Sequence, residues 1–369
     1  MNRSERRSPS DAAAVVGTRL RLKIAQIAPP WLTIPPQGYG GIEWIVSLLA
    51  DGLTDRGHDV TLFASGGSAT RAHLDGAFHS APGVEAIGDT YYEASHAHHA
   101  YARAPEFDVV HDHTPYVGPA IGVRQDTPVV HTIHWLLDQR TSDWYRALGP
   151  RLRLVSISDS QRAPAPDLSY AGRVYNGIPL DRYPFRTAKE DFLLFVGRAH
   201  PQKGAAVAVE VAARAGLKLV LAGAIKSDEE RAYWAGEVEP RLTGSETLLG
   251  EITHDQKADL MGRARAVLFP ISWPEPFGLV MAEANACGTP VLAFPQGAVP
   301  EVIADGVTGY LVADADAMIA ALARLDALDP AACRAHVERH FSAERMVEGY
   351  EEVYARVLGA SSAARVRAR

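Results

Sequence analysis

Ile271-Ser-Trp-Pro-Glu-Pro-Phe-Gly-Leu-Val-Met-Ala-Glu-Ala-Asn-Ala-Cys-Gly-Thr-Pro290 decides how the chain is read. Pro276 and Gly278 do not sit comfortably inside a helix, whereas Leu279 to Cys287 contains no breaker and is followed by Gly288 and Pro290, a helix stop signal. The two carboxylates of the run therefore fall in different settings. Glu275 lies on the loop entering the helix, where the N–H groups of Phe277, Gly278 and Leu279 favour an anionic or oxygen-rich ligand. Glu283 lies one turn inside, beside the apolar or small Val280, Ala284 and Cys287, so an ionised carboxylate there needs a partner such as a pair of ligand hydroxyls. One surface glutamate and one loop glutamate is the bland alternative. The agreement of breaker, cap and apolar context favours a ligand site.

Outward from this run, strand-like segments alternate with helical patterns from end to end, which predicts parallel sheets covered by helices. Expected strands in the first half are Leu22 to Ala28, Val60 to Ala64, Asp108 to His111, Pro128 to Thr132 and Leu154 to Ile157. A turn-rich seam follows at Tyr175 to Pro184. Strands are then expected at Phe192 to Val196, Leu217 to Leu221, Thr247 to Leu249, Ala266 to Phe269, Val291 to Phe294 and Gly309 to Val312. The domain reading is a tail over 1–20, a first domain over 21–176, a linker over 177–190, a second domain over 191–342, a closing helix over 343–358 and a tail over 359–369.

The length of 369 residues suits two domains, and the formal charge of −7 gives no sign of a nucleic-acid groove. No apolar run approaches the ~20 residues of a membrane span. Cys287 and Cys333 are the only cysteines, so neither a disulfide framework nor a zinc site is argued. The amino-terminal segment lacks a secretory h-region, and the expected location is cytoplasmic.

Ligands of doubly wound sheets bind beyond the carboxyl ends of the strands, and the polar residues collect there. The loop Pro35 to Gly41 opens a helix, and Gly40 and Gly41 let the backbone approach a diphosphate; a tight turn required by sterics alone is the alternative. Arg198 and Lys203 follow the strand Phe192 to Val196 and place two cations at one corner, where a solvated basic face is the competing reading. His134 ends a strand, as do His111, Asp112 and His113, which read as acceptor-side or supporting residues. His96, His98 and His99 read as a solvated or acceptor-facing segment rather than a metal cluster. Asp314-Ala-Asp316 formally matches a D-x-D metal motif, but its place before a helix reads as a cap.

The Glu275 to Glu283 run resembles the E-x7-E signature of retaining nucleotide-sugar glycosyltransferases of family 4, and the likeness extends from about Arg21 to about Leu358. The resemblance implies an α/β chain of GT-B architecture, two facing Rossmann-like domains with parallel sheets and a deep interdomain cleft, with the closing helix crossing back to the first domain. It implies catalytic roles for His134, Arg198, Lys203 and Glu275. In the family the matching Arg and Lys hold the donor diphosphate, the matching histidine stands beside the donor sugar, and Glu275 with the N–H groups of Phe277, Gly278 and Leu279 binds that sugar. Glu283 would take the ribose hydroxyls, and the base would pack near Gly250 to Ile252. Acceptor contacts are expected at Tyr39, His111, His113 and Trp135, with Trp31 to Tyr39 and Tyr91 to Arg103 around them. The implied donor is a nucleoside-diphosphate sugar, UDP- or GDP-linked, with no cofactor and no metal; the acceptor is a small molecule, lipid or glycan. The Pro35 to Glu43 stretch is similar to a branch that includes antibiotic-pathway sugar transferases. Three other readings remain open at this level: a glycoside hydrolase using Glu275 and Glu283, a nucleotide-sugar epimerase, and a nucleotide-sugar sensor without turnover.

Overall fold

A computed structural model describes residues 21–38 and 40–367, with side chains as far as Gly359. The segment 1–20, read as a tail, and Tyr39, read as an acceptor contact, lie outside the described residues. Within them the first sheet contains β1 (Lys23–Ile27), β2 (Asp59–Phe63), β3 (His73–Asp75), β4 (Val109–Asp112), β5 (Val129–Thr132), β6 (Leu152–Ser156) and β7 (Tyr170–Arg173). The second contains β8 (Phe192–Val196), β9 (Lys218–Ala222), β10 (Thr247–Leu248), β11 (Ala266–Phe269), β12 (Val291–Ala293) and β13 (Gly309–Leu311). Among the described residues the spatial orders are β3-β2-β1-β4-β5-β6-β7 and β10-β9-β8-β11-β12-β13, with every pairing parallel.

Alternation along the strands feeds two core layers per sheet. Ile24, Leu62, Val109 and Val130 pack toward the helix Gly41–Asp55, whereas Ala25, Phe63, Val110 and Val129 pack toward the helix Thr90–Ala102. In the second domain Leu194, Val267 and Val291 meet the helix Leu279–Ala286, and Leu193, Leu219 and Leu268 meet the helix Ala205–Ala215. The strand order reverses between β1 and β4 and again between β8 and β11. Crossovers leave in opposite directions at such a point, so a crevice opens at the carboxyl ends.

The structure differs from the sequence reading in several elements. Strands β3 and β7 were not expected; each is a short edge strand, and β3 has no buried residue. The histidine-rich segment is a helix, and His96 is fully buried with Nε2 3.2 Å from the Phe63 carbonyl, while His99 pairs with Asp75 at 2.8 Å. The solvated reading fails for His96 because small residues such as Ala97 and Ala100 let that helix lie close to the sheet. The closing helix runs Ala343–Arg367, so its backbone continues through most of the segment read as a tail. Asp314 accepts from the Ala317 N–H and Asp316 pairs with Arg214, which agrees with capping.

Loops at the carboxyl ends of both sheets face one another. A Cβ on Gly41 would stand 3.5 Å from Leu279 Cδ1, and one on Gly38 would stand 3.5 Å from Glu251 Oε1. On the opposite side of the cleft, Glu301 accepts from Asp159 N at 2.8 Å, Ser160 N at 2.7 Å and the Tyr175 hydroxyl at 3.0 Å. One second-domain carboxylate thereby clasps three first-domain donors. Glu301→Ala is expected to lower unfolding free energy by about 1–3 kcal/mol, the range for partly exposed charge-assisted bonds, and to widen the domain angle. Urea unfolding and small-angle scattering read the two effects; an unchanged radius of gyration would show that the clasp does not set the angle.

Candidate active site

Both strand-order reversals deliver residues to the cleft. From the second domain, the loop after β8 carries Arg198 and Lys203, and the loop after β11 carries Glu275. Lys203 Nζ donates to Glu275 Oε2 at 2.7 Å, the Trp273 indole N–H donates to the same oxygen at 2.9 Å, and the ammonium lies 4.5 Å from the Trp273 ring centre. Gly297, at φ 61°, seats this loop: a Cβ there would come within 2.3 Å of the Glu275 backbone nitrogen. No L side chain fits that approach. Arg198 is exposed and lies 3.0 Å from Glu230, a buried carboxylate that also receives the Lys226 N–H. Each cation at the β8 corner is thus matched with a carboxylate.

Glu283 is buried and accepts at Oε1 from Lys257 Nζ at 2.6 Å and from the Tyr183 hydroxyl at 2.7 Å. Among the described residues its buried Oε2 has no hydrogen-bond partner. Burial by itself would raise this carboxyl, but the Lys257 charge and the two hydrogen bonds outweigh it and hold the group below its ordinary value. Tyr183 also meets His254 Nε2 at 2.7 Å, and His254 lies 5.0 Å from Trp44 of the first domain, ring centre to ring centre. Tyr183 belongs to the segment read as a linker, which therefore builds part of the site. Phe277 is a core residue packed near Tyr175 and Phe341, so its contribution to a ligand is confined to the backbone. Gly278, at φ 82°, precedes Leu279, the first residue of the Glu283 helix. A cavity of about 440 Å³ lies at the carboxyl ends of β8 and β9, lined by Phe195, Ala222, Ile225, Trp234, Gly250 and Glu251. Ile252, half-buried, follows directly.

From the first domain, Gly40 has φ 153° and a Cβ there would collide with Pro36 and lie 2.9 Å from Glu43 Oε2. Gly41 is exposed at the start of the first helix. His134 is half-buried after β5, with Nε2 2.9 Å from His113 Nδ1, and burial pushes its imidazole down to about 3, so it is neutral at neutral pH. The acceptor-contact expectation for His111 and His113 is corrected. Both are fully buried with both ring nitrogens engaged, His111 by Tyr354 and Thr132 and His113 by His134 and Gln26. They support the site from beneath. Trp135 is half-buried beside Tyr116, with ring centres 6.0 Å apart.

Sequence reasoning missed Lys257, Tyr183, His254, Gln26 and Gln161. Gln161 is buried and donates to the carbonyls of Ile133 and Trp135 at 2.9 and 2.8 Å, bracing the two neighbours of His134. These residues are far from their partners in the chain; Lys257 alone carried a signal, one turn beyond His254 and just after the Gly250 to Ile252 loop.

Two facing parallel-sheet domains with the candidate site between them define the GT-B class of glycosyltransferases. Residues 39–182 match the sequence profile "Glycosyltransferase Family 4" and residues 181–334 match "Glycosyl transferases group 1". Between them the two matches span residues 39–334, a likeness to the group 1 and family 4 glycosyltransferases. It is 32% identical over 258 residues to the D-inositol 3-phosphate glycosyltransferase of Mycobacterium avium (strain 104), a stretch spanning 57% of this chain and 58% of that relative. AviGT4, a glycosyltransferase involved in avilamycin A biosynthesis, superposes with a TM-score of 0.70 at 29% identity, covering 92% of this chain and 98% of that one. Sucrose-phosphate synthase from Thermosynechococcus elongatus shares the fold with a TM-score of 0.74 at 22% identity, covering 92% and 100%. Among the described residues no helix is long and apolar enough to cross a membrane.

Glu43, in the first turn of the helix that the glycine loop opens, is a further buried carboxyl, raised from its ordinary 4.5 to about 7 by burial. A raised carboxyl favours folding fully below about 4.5, and that contribution is lost as pH rises through about 7. Glu43→Gln, which cannot ionise, is therefore expected to gain stability over the parent by up to roughly 3 kcal/mol between pH 4.5 and 7, with a constant gap above. Urea unfolding across that range is the measurement, and a gap independent of pH would contradict the burial argument.

Proposed function

We propose that the chain transfers a glycosyl group from a nucleoside-diphosphate sugar to an acceptor hydroxyl with retention of anomeric configuration. The observation that carries this reading is Glu283: a buried, charge-compensated carboxylate with one oxygen bonded to Lys257 and Tyr183 and the other without a partner among the described residues. A carboxylate oxygen in that state suits the 2′ and 3′ hydroxyls of a ribose, with the base in the adjoining cavity near Gly250 to Ile252. UDP or GDP is the expected nucleotide. HepE from Anabaena, whose likeness of 18% identity speaks for the fold, was crystallised with UDP and glucose.

Breaking the glycosidic bond places positive charge on the sugar and negative charge on the diphosphate. Lys203, Arg198 and the backbone N–H groups at Gly41 and at Phe277 to Leu279 would stabilise the leaving group, and Glu275 would bind sugar hydroxyls. The acceptor attacks the anomeric carbon from the face the diphosphate is leaving, and the departing phosphate oxygen takes the acceptor proton. Neither a protein nucleophile nor a metal is required by that sequence. His134, neutral, would contact the donor sugar. Trp135 and the neighbouring first-domain loops would meet the acceptor, a small molecule, lipid or glycan. A hydrolase using Glu275 and Glu283 as acid and nucleophile would leave the Arg198 and Lys203 corner without a role. A sensor would bind the donor without acceptor-dependent release of nucleoside diphosphate, and that release is the test that separates the two.

Glu283→Gln is expected to weaken binding of the free nucleoside diphosphate by about ten- to a hundredfold, the scale of a charged hydrogen bond of roughly 1.5–3 kcal/mol. Titration calorimetry decides it; unchanged affinity would remove Glu283 from the nucleotide site. Lys203→Ala is expected to lower kcat by about two to three orders of magnitude with a smaller rise in donor KM, because a fixed cation gains more from the charged transition state than from the bound donor. Lys203→Arg should recover only part, since a planar fork does not reproduce a compact ammonium. Steady-state kinetics with folding checked by circular dichroism is the measurement, and a folded Lys203→Ala enzyme of parental kcat would rule out the corner.

A further inference from the structure

Beneath His134 runs a buried chain of hydrogen bonds that ends on the closing helix. His134 Nε2 lies 2.9 Å from His113 Nδ1, and His113 Nε2 lies 2.9 Å from Gln26 Oε1. The Gln26 amide nitrogen donates to the Tyr354 hydroxyl at 2.8 Å, which in turn stands 2.7 Å from His111 Nδ1; His111 Nε2 meets Thr132 Oγ1 at 2.8 Å, and Thr132 meets the Tyr350 hydroxyl at 2.9 Å. Gln26, His111, His113, Thr132, Tyr350 and Tyr354 are all at 0% exposure, so water does not compete for these bonds. The β1 and β4 register sets Gln26 directly opposite His111.

The chain has one sense. Gln26 Oε1 can only accept, so His113 carries its proton on Nε2 and leaves Nδ1 as an acceptor. His134 must then donate from Nε2, which leaves its Nδ1 bare. At the other end, the Gln26 amide NH₂ lies between Tyr354 Oη at 2.8 Å and His111 Nδ1 at 3.4 Å, both able to accept. The Tyr354 hydroxyl could also donate to a reversed amide, but the reversed NH₂ would then face His113 alone among the described residues and leave one buried N–H without an acceptor, so Tyr354 and His111 together favour the orientation on which the sense depends.

We propose that Tyr354 and Gln26 are positioning residues which, through His113, lock His134 as the Nε2–H tautomer and leave Nδ1 as a hydrogen-bond acceptor for a hydroxyl of the ligand in the cleft. The hydroxyl donor rests on the glycosyl-transfer reading; the tautomer does not. A tautomer locked this way presents a lone pair without rearrangement when the ligand arrives, so a sugar hydroxyl is favoured over a phosphate oxygen at that point. The closing helix thus reaches the site through a side chain that touches no ligand.

The test is a long-range ¹H–¹⁵N correlation spectrum of the intact, ¹⁵N-histidine-labelled protein at neutral pH, with His134 assigned from the spectrum of His134→Gln. The expected result is a protonated Nε2 and an unprotonated Nδ1 at His134. A protonated Nδ1 there in the parent protein overturns the inference, with no variant needed. Gln26→Leu, which removes the acceptor, is expected to lose the single tautomer, whereas Gln26→Glu keeps it because a carboxylate still only accepts. Tyr354→Phe is expected to mix the two forms. A single unchanged Nε2–H form in both folded Gln26→Leu and Tyr354→Phe overturns the relay. A protein with the expected tautomer and no acceptor-dependent turnover would fail the transfer reading alone, and one with turnover and the reversed tautomer would fail this inference alone.

Discussion

Burial of the closing helix against the first sheet is the interaction on which the arrangement of the two domains depends. The helix begins at Ala343, where Ile178 and Ser342 bridge the end of the second domain to the linker, and it returns to lie on the first domain. Met346, Val347, Tyr350, Val353 and Tyr354 join the same core layer as Ile24, Leu49 and Val130. Side chains of this size each contribute roughly 1.5–3 kcal/mol when fully removed from water, which ties the carboxyl-terminal segment to the amino-terminal domain. The two tyrosine hydroxyls then need partners in that apolar layer, and they find them in Thr132, His111 and Gln26. A packing requirement and a polar chain leading to His134 are thus consequences of the same two residues.

The second domain handles its charges by a related logic. Glu283 and Glu275 would be costly in a half-enclosed cleft, and each is matched by a lysine from another element, Lys257 in the first turn of the helix His254–Arg263 and Lys203 at the end of the short turn Pro201–Lys203. The match is incomplete at Glu283, where Oε2 has no partner among the described residues. Both lysines reach the site because crossovers at the β8 and β11 reversal bring several carboxyl-end loops and helix starts to one crevice. Gly297 and Gly40 mark where backbone had to approach closely for this to happen, one against the Glu275 loop and one against Pro36 and Glu43.

Much of the fold was readable in the chain because parallel strands buried on both faces give continuous apolar runs. Phe192–Val196 and Ala266–Phe269 were placed residue for residue, and most other strands to within two residues at each end. The edge strands His73–Asp75 and Tyr170–Arg173 escaped because an edge gains its partner from the sheet rather than from its own apolar content. The helix Thr90–Ala102 escaped because alanines and a histidine form its buried face in place of large aliphatic residues.

The sequence by itself determined the alternation of strand and helix, the break before Leu279, the cap at Asp314, and the ends of strands at which Arg198, Lys203, Glu275 and His134 stand, because these are local consequences of periodicity and of Pro, Gly and Asp chemistry. Only the tertiary structure decided the partners. Lys257 on Glu283 is 26 residues away in the chain, Lys203 on Glu275 is 72, and Tyr354 on Gln26 is 328. It also moved His111 and His113 from the ligand surface to the layer beneath it. Charge compensation and hydrogen-bond satisfaction are settled by proximity in space, and one chain's spacing carries no record of which distant side chains that proximity will join.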